Sequence, residues 1–309
     1  MPKDYHELPK LRDSISYLYI EHAVIEQDDS SIVLLQEDGR IPVPIASVTC
    51  LLLGPGTRVT HAAIRAMAEN GCMVVWCGEH TGRFYASGMG ETRSADNLLL
   101  QARLCIDPDA HMAVVRRMYE IRFPALSTEG LTLQQIRGME GIRVRQTYKT
   151  ESKRTGVKWK ARDYKQTDWD AADDINRALS AANAILYSVC QAAIVSLGFS
   201  TGLGFIHTGK MLSFVYDVAD LYKTETSIPA AFEAAKDGSE GLDQRIRSMT
   251  RQRIAKAEIL KRIAKDLMWI FSVPLGEEHD NQEQVGALWD DSGLIEGGKN
   301  HAGDDMKWS

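Results

Sequence analysis

Residues 202–220 gather one imidazole and two carboxylates around a glycine-rich turn. His207 lies between Gly204 and Gly209, and Asp217 and Asp220 follow in a run whose apolar spacing predicts a helix. Side chains three residues apart on a helix project from one face, so the two aspartates can share a cation. Oxygen ligands with a single imidazole favour Mg²⁺ or Mn²⁺ over a structural zinc.

A further carboxylate, Glu140, lies among arginines 137, 143 and 145. A metal ion that acts on phosphodiesters is bound by acidic ligands, and nearby basic side chains bind the phosphates. The combination therefore predicts a divalent-metal site that acts on nucleic acid. Each residue also has an ordinary alternative. An Asp-x-x-Asp pair commonly lies on a solvated helix face, a histidine beside glycines commonly makes a local hydrogen bond, and a glutamate among arginines commonly forms ion pairs.

The same glycines imitate a nucleotide-binding loop, because Gly204 and Gly209 are followed by Lys210. A phosphate loop requires Ser or Thr after the lysine and a buried strand before the first glycine. Here Met211 follows, and residues 185–197 are alanine-rich with a helical period. We therefore expect no nucleotide cofactor, and we expect the glycines to turn the backbone between two helices and present His207.

The pattern along the chain predicts an α+β fold in three regions. Residues 1–92 hold short alternating runs at 15–20, 32–35, 41–45 and 49–53, with one helix at 60–70 that is followed by Gly71, and they predict a small N-terminal β domain. Residues 93–272 predict a larger α-helical catalytic, metal-binding domain, with helices at 98–106, 112–122, 133–150, 173–197, 213–222 and 245–271. Residues 273–309 predict an acidic, disordered tail.

The charge of the chain is unevenly divided. Its formal net charge is −6, but residues 274–309 carry nine acidic and two basic side chains, a net of −7, which leaves +1 for the rest. Residues 93–165 and residues 245–265 are each +7. These two segments are candidate phosphate-binding surfaces, with solvated helix faces as the alternative.

The sequence predicts a cytoplasmic protein with no membrane partner. The first residues lack the basic and then apolar order of a signal peptide, and no apolar run reaches the roughly 20 residues of a membrane span. Five cysteines, an odd number, do not suggest a disulfide framework. Cys72 and Cys77 lie on opposite faces if residues 73–76 form a strand, which disfavours a zinc site.

Four segments together resemble a known family: residues 54–65, residues 83–88, the Glu140 segment and the segment from His207 to Asp220. The chain resembles the CRISPR-associated integrase and endonuclease, the catalytic subunit of the complex that inserts spacers into CRISPR arrays, in the branch that works beside a Cascade-type effector. The resemblance implies Mg²⁺ or Mn²⁺ as cofactor, held by Glu140, His207 and Asp220, with Asp217 as an accessory acid.

The implied reaction is a transesterification. The 3′-hydroxyl of a foreign DNA fragment attacks a phosphodiester at the boundary of a CRISPR repeat, and no ATP is needed. Two alternatives stay open: a metal-dependent, structure-selective nuclease, in which water is the nucleophile, and a non-catalytic DNA-binding scaffold.

The resemblance implies that the N-terminal β domain serves dimerisation and duplex DNA binding. Together with the basic residues, it also predicts DNA contacts. Arg58, Arg65 and Arg83 would hold duplex backbone, whereas Arg137, Arg143 and Arg145 would guide a single-stranded 3′ end. His22 stands where the family often has an aromatic wedge. Further candidates, for stacking or for phosphate and supporting contacts, are Tyr164, Tyr187, Lys210 and Ser213.

Partners follow from the need for two active sites at a fixed separation. We expect a homodimer, and the resemblance implies two such dimers around a dimer of a small CRISPR-associated adaptation subunit, a heterohexamer. The DNA partners are a duplex with single-stranded 3′ ends and the CRISPR repeat. The tail would dock on the small subunit through an apolar patch made of Val285, Leu288, Trp289, Leu294 and Ile295.

Overall fold

The computed structural model describes residues 17–29, 31–36, 39–45, 48, 50–79, 83–88, 95–124, 128–162, 173–273, 288–290 and 293–295. Strands fill the N-terminal part and helices the part that follows, so the predicted α+β class is confirmed. Residues 89–94 lie outside the described residues. The proposed boundary at residue 92 therefore stays a prediction.

Two four-stranded sheets form the N-terminal part. One sheet has the order β1-β5-β7-β8 and the other β4-β3-β2-β6. Their strands are β1 Tyr17–Ile20, β2 Val24–Asp28, β3 Ser31–Gln36, β4 Gly39–Val43, β5 Cys50–Leu53, β6 Arg58–Val59, β7 Met73–Cys77 and β8 Phe84–Gly88. The pairs β1·β5 and β5·β7 are parallel. All four residues of β5 are buried, which explains why it reads as a continuous apolar run.

One helix, α1 (His61–Glu69), connects β6 to β7. The hydroxyl of Thr60 accepts a hydrogen bond from the backbone N–H of Ala63 at its start. Gly71, with φ +59°, follows its end, as the sequence predicted. The buried face of α1 packs on β2, β3 and β7.

The described helical part contains α2 Asp96–Ile106, α3 Pro108–Arg122, α4 Leu133–Thr155, α5 Asp174–Ser196, α6 Ser213–Asp220, α7 Ser227–Ala235, α8 Leu242–Lys256 and α9 Ile259–Phe271. Two features differ from the prediction. Helix α7 was not predicted, and the single helix expected at 245–271 is divided at Glu258, whose φ is +49°. A non-glycine residue in this conformation interrupts the helical backbone, and the period of apolar residues does not reveal it.

Helix α5 forms the centre of the helical part. Residues from α5, α6 and α9 share one apolar core with β5 and β7, and a second core joins α5 to α7 and α8. By length and composition α5 could cross a membrane, but 61% of its most apolar window is buried inside the protein. Since its faces pack on neighbouring elements of the same chain, α5 is a core helix.

The tail is described only in part. Residues Leu288–Asp290 and Gly293–Ile295 form two short antiparallel strands, β9 and β10. Val285 and Tyr164 lie outside the described residues. The predictions made for them, for the apolar patch and for the disorder of the tail are therefore not decided by this structure.

Candidate functional site

His207 is presented by the loop of residues 197–212 that joins α5 to α6. Gly198 takes a φ of +80° directly after α5. At Gly204 an added Cβ would lie 2.2 Å from the carbonyl oxygen of His207, so only glycine fits there. Gly204 and Gly209, whose φ is +81°, therefore lie in the connection between the two helices that presents His207, as predicted, but this connection is a loop of residues 197–212 and not one sharp turn.

Asp217, on the first turns of α6, fixes this loop from within. The side chain is fully buried, and its Oδ2 accepts hydrogen bonds from the backbone N–H groups of Phe205 (2.6 Å) and Ile206 (3.0 Å). Its Oδ1 accepts from the backbone N–H of His207 (2.9 Å) and lies 2.7 Å from Nδ1 of the same residue. Both carboxylate oxygens of Asp217 thus bond only atoms of the loop that are described, and these bonds orient the imidazole of His207.

The two ring nitrogens of His207 have different surroundings: Nδ1 contacts Asp217, whereas Nε2 is open. No described residue hydrogen-bonds its Nε2, and 45% of the side chain is exposed. The hydrogen bond to Asp217 raises the pKa of His207, against the opposing effect of partial burial. The ring of Tyr216 lies edge-on to the imidazole, with the ring centroids 5.9 Å apart.

Glu140 is carried by α4, which begins with a capping box between Thr132 and Gln135. Oε2 of Glu140 accepts a hydrogen bond from the hydroxyl of Tyr119 (3.0 Å), and Oε1 of Glu140 contacts Nη1 of Arg122. Burial and the adjacent carboxylate raise the pKa of Tyr119 to about 12, so its hydroxyl remains a donor at neutral pH. Glu140 is therefore held by α3 and not by its own helix.

Asp220, at the end of α6, meets Glu140 across Arg122. The same Nη1 atom of Arg122 lies 3.5 Å from Oδ2 of Asp220, and Nζ of Lys223 lies 2.5 Å from Oδ1. Burial alone would raise the pKa of Asp220, but Lys223 and Arg122 hold it below the usual value. Two carboxylates and two cations thus form one partly buried cluster, with Asp217 separate from it.

The donor chemistry of these residues fits Mg²⁺ or Mn²⁺. Glu140 and Asp220 offer carboxylate oxygens, and His207, whose pKa is also raised by the charge of Asp220, offers an imidazole nitrogen. Nε of Arg122 is buried and has no hydrogen-bond partner in the part of the chain that the structure describes, so the guanidinium that contacts both acids is incompletely satisfied there. Among the described residues no three acidic, histidine or cysteine side chains already converge on one point, and Nη1 of Arg122 contacts both acids.

Basic residues on α4 lie next to this cluster. Arg137 and Arg145 are exposed, whereas the guanidinium of Arg143 stacks on the ring of Phe123 with 5.2 Å to its centroid. In the N-terminal part, the exposed candidates are His22, Arg58, Arg65 and Arg83. His22 has a φ of +51° and packs on Gly56, where an added Cβ would lie 2.5 Å from its Nδ1.

The remaining DNA-contact candidates differ in accessibility. Lys210 is exposed, whereas Ser213 is fully buried and its hydroxyl accepts the backbone N–H of Lys210 at 3.0 Å. Ser213 therefore supports the turn and cannot touch a phosphate. Tyr187 is half-buried at the site, edge-on to Tyr216 and beneath Lys223.

Several residues of this region were not found from the sequence: Gln101, His111, Tyr119, Arg122 and Lys223. Lys223 follows Asp220 at helical spacing, and that spacing was the only local signal available. The others come from α2 and α3, far along the chain from the residues they contact. Such contacts leave no periodic trace in one sequence.

Comparison with known proteins agrees with this fold. Residues 16–125 and 124–239 match the family described as CRISPR associated protein Cas1. The chain is 50% identical over 308 residues, 98% of its length and 95% of the relative, to CRISPR-associated endonuclease Cas1 2 of Thermus thermophilus. It is 43% identical over 254 residues, 82% and 83% of the two chains, to CRISPR-associated endonuclease Cas1 of Geobacter sulfurreducens.

A solved structure, the TtCas1-DNA complex, superposes with a TM-score of 0.80 at 52% identity and covers 86% of this chain and all of that one. These similarities extend over most of the chain and include both the sheets and the helical part. The chain belongs to the Cas1 family.

Proposed function

We propose that the chain is a divalent-metal-dependent DNA integrase and endonuclease that joins foreign DNA fragments to a CRISPR array. The observation that carries the proposal is the meeting of Glu140 and Asp220 at Arg122, together with a histidine whose second nitrogen is left open. Family membership supports it, since the two relatives named above are called endonucleases and the similar solved structure is a TtCas1-DNA complex.

In the proposed reaction, the 3′-hydroxyl oxygen of the fragment forms a bond to the phosphorus of a repeat phosphodiester. The bond from phosphorus to the repeat 3′-oxygen breaks, and that oxygen leaves with a proton from solvent while the attacking hydroxyl loses one. Bound Mg²⁺ or Mn²⁺ would supply a Lewis acid for the phosphoryl oxygens. The chain itself orients His207 through Asp217 and offers Arg137 and Arg145 to the incoming strand.

Removal of one ligand tests the assignment. We expect Glu140→Ala, His207→Ala and Asp220→Ala each to lower Mn²⁺-dependent strand transfer about 10²-fold or more, by analogy with loss of a preorganised electrostatic group. Duplex binding should be retained. The matched control is Glu129→Gln, which removes an exposed carboxylate outside the cluster. Full activity of His207→Ala would contradict the proposal.

A fragment with a blocked 3′ end separates the integrase from the nuclease. Strand transfer requires the free hydroxyl and should vanish with the block, whereas hydrolysis by water would continue. A chelator separates both from a DNA-binding scaffold, because activity that needs a divalent ion disappears with EDTA and duplex binding does not.

The proposed assembly is a homodimer that joins a small adaptation subunit, acts in the cytoplasm and belongs to the Cascade-associated branch. Two joined ends require two sites at a fixed distance. Mass photometry of the chain alone should give about twice 34.4 kDa, and addition of the small subunit should give a larger species. A monomer at micromolar concentration would contradict the dimer.

A further inference from the structure

The loop that presents His207 is held on its outer side by buried polar side chains from α2 and α3. Within the described part of α2, Gln101 and Leu104 are the buried residues, and Gln101 is fully buried. An amide in this position is costly unless each of its polar atoms is bonded. The amide of a glutamine at a core position of α2 therefore needs hydrogen-bond partners for both its oxygen and its nitrogen.

Gln101 has that set in the backbone of the loop. Its Nε2 donates to the carbonyl oxygens of Ser200 (3.0 Å) and Leu203 (2.8 Å), and its Oε1 accepts the backbone N–H of Ser200 (2.7 Å). Two donors meet two acceptors and the oxygen meets a donor, so the network fixes which way the amide points. One side chain thereby bridges residues 200 and 203 across about a hundred positions of sequence.

Two neighbours extend this contact. Asn97, four residues before Gln101 on the same face of α2, donates through Nδ2 to the carbonyl oxygen of Leu197 at 2.7 Å. On α3, Nε2 of His111 lies 2.8 Å from the carbonyl oxygen of Phe205, and Nδ1 lies 3.1 Å from that of Cys105. The ring of His111 also packs on Phe205, with centroids 5.1 Å apart.

The two sides of the loop are thus bound by different partners. Carbonyl oxygens from residues 197, 200, 203 and 205 point to α2 and α3, whereas the N–H groups of residues 205 to 207 point to Asp217 on α6. The backbone just before His207 is therefore hydrogen-bonded on both sides. The imidazole itself stays partly exposed.

We propose that Gln101, assisted by His111, is a positioning residue that fixes the place of the His207 imidazole. It touches neither DNA nor His207 directly and acts through the loop backbone. The link to metal affinity rests on the proposed function, whereas the effect on the loop and on the ring does not.

The test compares Gln101→Met with Asn176→Leu. Methionine fills the space of glutamine and removes all three hydrogen bonds. Asn176 is a buried amide at the start of α5 that bonds Ala161 and Asp173, away from the loop, so its loss has a similar cost elsewhere. We expect amides 199–207 to exchange hydrogen about tenfold faster in Gln101→Met and unchanged in Asn176→Leu.

The His207 ring provides the second measurement. In protein with ¹⁵N-labelled histidine rings, the His207 signal, identified by its loss in His207→Ala, should move or broaden in Gln101→Met alone. The third measurement is calorimetry with Mn²⁺, whose affinity should fall about 10- to 100-fold, as for other partners that orient a metal ligand.

His111 supplies a pair of variants in case Gln101→Met fails to fold. His111→Phe keeps the ring contact and removes the donor to Phe205, whereas the amide of His111→Gln can still donate. We expect the first to reproduce the exchange and ring effects and the second to restore the original values at least in part.

The outcomes distinguish the two proposals. An unmoved His207 signal with unchanged exchange in folded Gln101→Met would overturn the positioning role, and so would equal effects in Asn176→Leu. Mn²⁺ binding that is absent from the unsubstituted protein would contradict the proposed function and leave the ring comparison to decide the role of Gln101.

Discussion

His207 and Asp217 are fixed by hydrogen bonds to loop backbone, whereas Glu140 and Asp220 are fixed by contacts with Arg122 and Lys223. We refer to the first pair as the histidine half of the site and to the other four residues as the carboxylate half. Backbone N–H groups cannot leave a loop without unfolding it. A guanidinium on a long side chain can turn away when another cation arrives.

The difference indicates which half is ready for a ligand. The histidine half has its imidazole oriented with one nitrogen open. The carboxylate half has its charge already neutralised, and its two acids are kept together by a positive group that is buried and incompletely bonded. We therefore expect the histidine half to be preformed and the carboxylate half to rearrange when Mg²⁺ or Mn²⁺ binds.

The largest effect is expected when the histidine half is broken. Asp217→Asn places an amide NH₂ group at one of two oxygens that each accept two donors, so two buried donors lose their acceptor whichever way it turns. At about 1 to 3 kcal/mol each, the free energy of unfolding should fall by about 2 to 6 kcal/mol. Strand transfer by the folded fraction should fall about 10²-fold.

Urea unfolding and single-turnover strand transfer measure these two quantities. The control is Asp243→Asn, which removes an exposed carboxylate from the first turn of α8. Wild-type stability in Asp217→Asn would mean that Asp217 does not hold the loop.

The second prediction removes Arg122, one of the two cations of the carboxylate half. Arg122→Met removes the group between Glu140 and Asp220, and loss of one partner from a buried ion pair costs about 3 to 5 kcal/mol. Because a divalent ion supplies the missing charge, saturating Mn²⁺ should raise the melting temperature of the variant more than that of the wild type.

Thermal unfolding with EDTA and with Mn²⁺ checks this difference. Arg145→Met, an exposed arginine on α4, is the matched control and should respond as the wild type does. An equal shift in Arg122→Met and in the wild type would show that Arg122 and the metal do not compete for the same acids.

The third prediction concerns the DNA surface beside the carboxylate half. If Arg143 and Arg145 contact phosphates, the double variant to Ala should lower the slope of log affinity against log salt by about 1.4 to 1.8. Arg145 is exposed and Arg143 is stacked on Phe123, so Arg145→Ala alone should give the larger part of the change. The slope is measured from the affinity for a forked DNA fragment across a salt series. An unchanged slope would mean that the binding surface lies elsewhere on the protein.

The sequence predicted the two halves unequally. Asp217, Asp220 and His207 lie within one helix and its preceding turn, so spacing and glycines were enough to place them together. The partners that give each carboxylate its environment, Tyr119 and Arg122, reach Glu140 from another helix. The α+β class followed from periodicity, whereas parallel β pairing, helix α7 and the break at Glu258 depend on tertiary packing.

The smallest effect is expected at the start of α4. Thr132→Ala removes the hydroxyl that caps the helix and should lower the free energy of unfolding by about 1 kcal/mol. Glu140 lies two turns inside α4 and is held by Tyr119 and Arg122 on α3, so fraying of the first turn does not reach it. Strand transfer at 25 °C should change less than about threefold, in contrast to the Asp217 variant. A loss near 10²-fold in Thr132→Ala would mean that α4 itself positions Glu140, and the carboxylate half would then depend on backbone structure as the histidine half does.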